Sequence, residues 1–301
     1  MLINKNNLTA VFLNLKTTFN KAFESAPANW QKVAMRVPST SATNNYDWID
    51  RFPKMIEWVG DKVVKALKAH EYTIKNKDFE ATVGVLRNDI EDDQLGIYGP
   101  MAQDAGFSAK QWPDELIADL LNGAFAAECF DGQYFYDTDH EVAGASVSNK
   151  GTAALSAATL SAAQNSYGAG RAAIMNFTDD ESRPLNLVPD LLEVPPALEA
   201  TAKLICHGDF LVDGSSNPYK GTAEVFVNPR ITDSSNWFLH VTSRPVKPFI
   251  FQERKAPVFV SQTNENNDDV FNKALFKYGA EARGNAGYGL WQLSYGSTGA
   301  A

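Results

Sequence analysis

The sequence predicts an α+β protein with no repeated βαβ unit. Three observations carry that expectation. Near the N-terminus Leu8, Phe12, Leu15, Phe19 and Phe23 recur at steps of four, three, four and four, which draws one apolar stripe on a helix. An apolar run at 185–188 reads as a strand and is followed by Val194-Pro195-Pro196, where Pro196 suits the first turn of a helix. After Gly221 the helical signal fades into short β-rich runs separated by Pro229, Pro245, Pro248 and Pro257.

Each element follows from its residues. Pro27 ends the first helix, whose other face carries Asn14, Lys16, Asn20, Lys21 and Glu24. The stripe therefore needs a partner surface, either the chain's own domain or another subunit. From Tyr46 to Lys62 two tryptophans and a phenylalanine (Trp48, Trp58, Phe52) sit among charges, a pattern that fits neither helix nor strand and suits a flap packed on a neighbour. Alternation then appears at Tyr72 and Ile74, and again at Phe79, Ala81, Val83 and Val85, with Lys75-Asn76-Lys77-Asp78 between them; this predicts a β-hairpin with a polar tip. Asp89, Glu91, Asp92 and Asp93 open a helical stretch, where acids favour a helix start. Gly99-Pro100 interrupts it, and a second helix is expected from Pro113, with Leu116, Ile117, Leu120, Leu121, Ala124 and Phe125 on its buried face. The Ala, Ser and Gly-rich segment 144–170 predicts a small-residue helix around Leu155–Ala163 and a change of domain. The later β runs are 224–228, 237–241, 249–252, 258–261 and an alternating stretch at 276–283.

Composition bounds the function. The 301 residues are 44% hydrophobic and 21% charged, enough for one large or two modest cores. The 27 Lys plus Arg against 36 Asp plus Glu give a net charge of −9, so the molecule as a whole carries no footprint for gripping phosphates. If it meets nucleic acid, it does so as a container. No apolar run is long enough to span a bilayer, and the first residues lack a signal peptide's apolar core, so folding in a cytoplasm is expected. Cys129 and Cys206 form no C-x-x-C pair and read as free buried thiols.

Candidate chemistry is sparse. Asp137, Asp139 and His140 could meet one ion, which would make the chain a metal-dependent hydrolase, but no second histidine lies nearby; the competing reading is an Asx turn with a hydrogen-bonded histidine. Gly168-Ala-Gly170 imitates part of a dinucleotide fingerprint without its βαβ setting. Phosphate-loop and nucleophile-elbow motifs are missing from the sequence. His70, His207 and His240 read as isolated structural imidazoles. No residue makes a positive case for catalysis, and no cofactor or metal is expected.

A series of blocks in fixed order adds a resemblance that runs nearly the whole length. These are Tyr46-Asp-Trp-Ile with Glu57-Trp-Val-Gly-Asp61, Tyr72 through Glu80 with Arg87 through Asp93, Asp131 through His140, Pro189 through Glu199, Lys247 through Gln252, and the closing Tyr278 through Arg283 with Gly287 through Gln292. Together they resemble the major head (capsid) subunit of Mu-like tailed bacteriophages and prophages. The resemblance implies a structural, non-enzymatic protein with the HK97-like shell fold of tailed phages. Its parts would be an N-terminal arm (1–34), an extended hairpin loop (51–88), a peripheral domain with a spine helix and long β-sheet (35–50, 89–150 and 222–284), and an axial domain (151–221 and 285–301).

It further implies self-assembly as hexamers and pentamers into an icosahedral head enclosing double-stranded DNA, without sequence-specific binding or contact with a membrane. Such a head is a virion component assembled in the bacterial host cytoplasm and joined to a portal protein. Because the candidate loop starts by about residue 51, scaffold and maturation protease are expected as separate proteins. Phe12, Phe19, Arg51, Trp58, Lys62, Lys65 and Lys75 are the inter-subunit contact candidates. Lys62, Lys65 and Lys68 lie where some relatives crosslink, although lysines abound in any loop. A tail or minor-head interaction protein is a third reading.

Overall fold

Residues 5–46, 72–92, 95–264 and 267–300 are described by a computed structural model. In chain order the elements are helix α1 (Lys5–Ser25), strands β1 (Ala34–Pro38), β2 (Thr43–Asn45), β3 (Thr73–Lys75) and β4 (Lys77–Leu86), then helices α2 (Arg87–Glu91) and α3 (Tyr98–Gly123). Strands β5 (His140–Val142), β6 (Ala145–Val147) and β7 (Lys150–Gly151) follow. Helix α4 (Leu160–Ala163) continues through a π-turn at Gln164–Gly168 into α5 (Ala169–Met175). The rest comprises β8 (Leu191–Val194), α6 (Glu199–His207), β9 (Glu224–Val227), β10 (Trp237–His240), β11 (Phe249–Gln262), α7 (Asp268–Lys273), β12 (Leu275–Tyr288) and β13 (Ser294–Ser297).

Two sheets organise the chain. The first has the order β1-β11-β12-β4, with β1 parallel to β11 and the other pairs antiparallel. Its long strands, β11 and β12, each run 14 residues, and β12 alternates because Phe276, Tyr278, Ala280 and Ala282 face the helices while Lys277, Glu281 and Arg283 face outward. The second sheet has the order β7-β13-β10-β8-β9. Its β8 is buried at every residue, as a strand between two partners and under helices must be. Aromatic rings join the two sheets. Phe135 stacks on Tyr288 at 4.7 Å and lies 5.2 Å from Phe249, while neighbouring Tyr136 stacks on Phe238 at 5.4 Å. One apolar core therefore runs from the first sheet into the second.

The stripe on α1 is spent within the chain. Phe12 lies 6.3 Å from both Phe276 and Tyr278, and Phe19 lies 5.6 Å from Phe259, all of the first sheet. Both phenylalanines are buried there, so they leave the group of inter-subunit candidates: an apolar ring already covered by its own sheet gains nothing from a second partner. The small residues Ala102, Ala105 and Gly106 let α1 approach α3 closely, since a Cβ on Gly106 would stand 2.4 Å from the Phe19 carbonyl oxygen.

Several expectations change. The predicted hairpin at 72–85 is two consecutive strands in different sheets: β3 pairs with β2, and β4 with β12. Alternation could not distinguish these pairings, because both need the same period. The helical stretch opened by Asp89 is the short α2, and Gly99-Pro100, expected as an interruption, instead lies in the first turn of α3, which runs on through Pro113, where a second helix was expected to start. Proline in the first turn forfeits no intrahelical donor, and packing of Trp112, Ile117 and Leu121 into the core holds the helix together across the bond that Pro113 lacks. The run at 185–188 is not a strand; Leu185 and Leu187 anchor a loop into the core, and the strand lies at β8. The small-residue helix starts only at Leu160, where the Thr159 hydroxyl accepts from the Ala162 amide as a cap. Of the segments assigned to the peripheral domain, β9 and β10 belong to the second sheet, and β4, placed in the extended loop, is an edge of the first.

Candidate functional site

The segment 47–71, which holds the candidates Arg51, Trp58, Lys62 and Lys65 together with Trp48, Phe52, Lys68 and His70, lies outside the described residues. Its two ends are described. The chain leaves through β2 and Tyr46 and returns through Tyr72 and β3, and the antiparallel pairing of Thr43–Asn45 with Thr73–Lys75 holds the ends side by side. Tyr46 and Tyr72 extend the pairing by a hydrogen bond from the Tyr46 amide to the Tyr72 carbonyl, 2.8 Å, with rings 6.5 Å apart.

A buried polar network roots these ends on the first sheet. Gln252, on β11 and fully buried, accepts from the Tyr46 hydroxyl at 2.8 Å. Its amide nitrogen donates to the Ile74 carbonyl at 3.1 Å and to Asn76 Oδ1 at 2.7 Å. Asn76, between β3 and β4, in turn donates to Ser39 Oγ and the Ser41 carbonyl, each at 2.8 Å. The Tyr72 hydroxyl accepts from the Tyr288 amide at 2.7 Å. Burial pushes the Tyr46 and Tyr72 hydroxyls up to about 12, so both stay protonated at any ordinary pH. What this arrangement can do is fix the two ends, Tyr46 and Tyr72, side by side on the first sheet. Lys75 lies exposed at this root, and Asn285 donates to its carbonyl at 2.9 Å.

Sequence reasoning missed Gln252 and Asn76. A lone glutamine in Lys247-Pro-Phe-Ile-Phe-Gln252 was the available signal, a polar residue ending an otherwise apolar strand run.

The residues proposed for metal chemistry do not converge. The Asp137 carboxylate accepts from the Tyr134 and Thr138 amides, at 3.2 and 2.8 Å, and Asp139 is exposed. His140 instead turns into the core, stacked 4.0 Å from Trp291, with Nδ1 2.7 Å from Asp131 Oδ2. The Cys129 thiol donates to the other Asp131 oxygen at 3.0 Å. Burial alone would raise the Asp131 carboxyl, but these partners and the Gln133 amide hold it below its usual range. Burial pushes the Cys129 thiol up, which keeps it a protonated donor. This cluster staples the turn 129–133 to β5. Both cysteines are free and buried.

The two glycines of the imitated fingerprint serve packing. A Cβ on Gly168 would stand 2.2 Å from the Tyr219 hydroxyl, and one on Gly170 2.9 Å from the Tyr295 ring. His240 is buried between Glu193, 3.1 Å from Nε2, and Ser294, 2.9 Å from Nδ1; it knits β10 to β8 and β13. His207 closes α6.

A long-stranded sheet backed by helices and a second sheet sharing its core make a subunit with two joined parts. Comparisons with known proteins give its class. A family model described as "Mu-like prophage major head subunit gpT" matches residues 8–160, 151–231 and 230–300. The chain is 31% identical over 286 residues to the Mu-like prophage FluMu major head subunit of Haemophilus influenzae, covering 95% of this chain and 71% of that protein. It is 33% identical over 294 residues to the major capsid protein of Escherichia phage Mu, covering 98% and 74%. A chain from the procapsid of bacteriophage JBD30 superposes with a TM-score of 0.63 at 32% identity, covering 98% of this chain and 76% of that one. The class is thus a structural shell protein of tailed phages with the HK97-like fold. The chain belongs to the Mu-like prophage major head subunit gpT family.

Proposed function

We propose that copies of this chain tile the phage head as hexamers and pentamers, closing an icosahedral shell around double-stranded DNA. The observation that supports this reading best is the root of segment 47–71: a buried network that fixes Tyr46 and Tyr72, the two ends flanking that segment, side by side on the first sheet. The solved relatives are assembled shells, among them a procapsid and a decorated capsid of JBD30. An acidic chain of net charge −9 suits a container that holds densely packed DNA without sticking to it. The sheet of β1, β11, β12 and β4 with α1 and α3 would form the peripheral part, and the sheet of β7, β13, β10, β8 and β9 the axial part. A separate scaffold and maturation protease would act during assembly in the host cytoplasm, and a portal protein would occupy one vertex.

Shell closure sums many moderate contacts, so each can be weak and correctable. Arg51, Trp58, Lys62, Lys65 and Lys75 are the contact candidates. Trp58→Ala is expected to reduce shell formation while leaving the subunit's circular dichroism unchanged; normal shells would remove Trp58 from the group. Coexpression with its scaffold, followed by cryo-electron microscopy, tests the whole reading. Fivefold vertices and sixfold facets built of this chain are expected, and open sheets or tubes lacking fivefold vertices would overturn it.

A further inference from the structure

Three side chains of metal-ligating type converge at the turn after α3: Cys129, Asp131 and His140. One donor atom from each lies within 4.8 Å of the other two. Cys129 is 6% exposed and His140 is fully buried, while the Asp131 side chain keeps 14% of its surface open to solvent. Only His140 belongs to the set that the sequence suggested; its partners here are a thiol and a different carboxylate.

The three are held in place by the fold around them. In the turn, the Cys129 amide donates to the Gln133 carbonyl at 2.8 Å and the Gly132 amide to the Cys129 carbonyl at 3.2 Å, with Gly132 at a φ of 81°. The Phe135 amide closes the turn on the Ala127 carbonyl at 3.0 Å. His140 opens β5, and its ring lies flat on Trp291, 4.0 Å away with the planes 11° apart; Phe177 backs Trp291 at 5.4 Å. Nδ1 makes the polar contact of that ring, to Asp131, and among the described residues the buried Nε2 has no hydrogen-bond partner. The histidine is thus not seated by a pair of hydrogen bonds. Its one polar contact is with another of the three donors.

Donor chemistry selects the ion. A thiolate, an imidazole and one carboxylate suit a borderline-soft divalent cation such as Zn²⁺, and not Mg²⁺ or Ca²⁺, which take oxygen ligands. Tetrahedral zinc keeps such ligand atoms roughly 3.3–3.6 Å apart. The Asp131 oxygens stand 3.0 Å from the thiol and 2.7 Å from Nδ1, so the carboxylate has to withdraw by less than about 1 Å to admit the ion. On binding, the thiol releases its proton to solvent, the imidazole proton moves from Nδ1 to Nε2, and a water reaching past Asp131 takes the fourth position.

We propose that Cys129, Asp131 and His140 bind one Zn²⁺, or a divalent cation of like affinity for sulfur, as a structural staple between the turn and β5. The turn leads directly into Phe135 and Tyr136, whose rings join the two sheets, so the ion locks that joint. The proposal does not depend on the shell reading above.

Cobalt titration of the tag-free, chelator-stripped, unassembled full chain tests it. Co²⁺ reports a thiolate ligand by a charge-transfer band in the near ultraviolet, and only Cys129 and Cys206 can supply one. One equivalent per subunit is expected, with the band bleached by Zn²⁺. Cys206→Ser should keep the band. Cys129→Ser, whose hydroxyl can still donate to Asp131, should lose it and bind zinc at least about tenfold more weakly, since loss of even an outer partner costs that much. Zinc at a hundred times its dissociation constant should raise the wild-type melting temperature by roughly 4 °C, and the same zinc should raise that of Cys129→Ser by half as much or less. Where Cys129→Ser unfolds the subunit, the Cys206→Ser titration decides, because Cys129 is then the one thiol left. No band in the wild type, a band that survives Cys129→Ser, or a band that Cys206→Ser removes overturns the site.

Discussion

Gln252→Ala should loosen the root of segment 47–71 more than any single truncation of similar size. The amide holds three partners in a fully buried place: the Tyr46 hydroxyl, the Ile74 carbonyl and Asn76 Oδ1. Removing it takes one partner from each of the three, and each buried group left short of a partner costs about 1–3 kcal/mol. One water entering the vacated space would satisfy part of that demand, leaving roughly 3–5 kcal/mol. Unfolding entropy of about 2.1 cal/mol/K per residue converts this to a melting temperature lower by roughly 5–8 °C for a chain of this size. Tyr46→Phe, which leaves Gln252 the two bonds its nitrogen donates, should cost less, about 1–3 kcal/mol. Calorimetric melting of the unassembled subunit is the assay, with limited proteolysis between residues 46 and 72 as a local readout. If Gln252→Ala melts within a degree of the parent and cuts no faster, the network does not hold the segment's ends.

Two further outcomes follow from the same geometry. Gly106→Ala places a Cβ against the Phe19 backbone, which cannot rotate away, so α1 must lift from α3; a loss of about 1–3 kcal/mol is expected in urea unfolding, and an unchanged midpoint would contradict the close crossing. Raising pH should leave the Tyr46, Tyr72 and Tyr278 hydroxyls protonated up to about 12, whereas unfolded tyrosines ionise near 10. Their contribution to stability is thus complete below pH 10 and is lost as pH rises through 12. Tyrosinate absorbance should appear late and together with unfolding, and full titration of all tyrosines near pH 10 in folded protein would contradict their burial.

Much of the fold was legible because periodicity reports burial. The stripe from Leu8 to Phe23 and the alternation at 276–283 both mark faces that are buried, the first on the chain's own sheet, one of the two partners the sequence left open. Pairing partners were not legible, since β3 joining β2 and β4 joining β12 are contacts between segments distant in sequence. Proline punctuation misled at Pro113, where tertiary packing overrides a local cost, and Pro257 likewise lies inside β11, beside a register shift. The site was legible only as order. The blocks around Asp131–His140 and Lys247–Gln252 marked the family, yet Asp131 pairing with His140 and Gln252 with Tyr46 depend on the folded geometry. Phe12 and Phe19 show the limit of the stripe argument: it finds an apolar face without saying whose surface covers it.

Sedimentation velocity of the purified chain, mixed with its scaffold and checked by negative-stain microscopy, tests the shell claim most directly. Closed particles sedimenting far ahead of the 33.0 kDa subunit are the expected result. A single slow boundary at the size of the subunit or a small oligomer, with no particles on the grid at any ratio of scaffold, would contradict it.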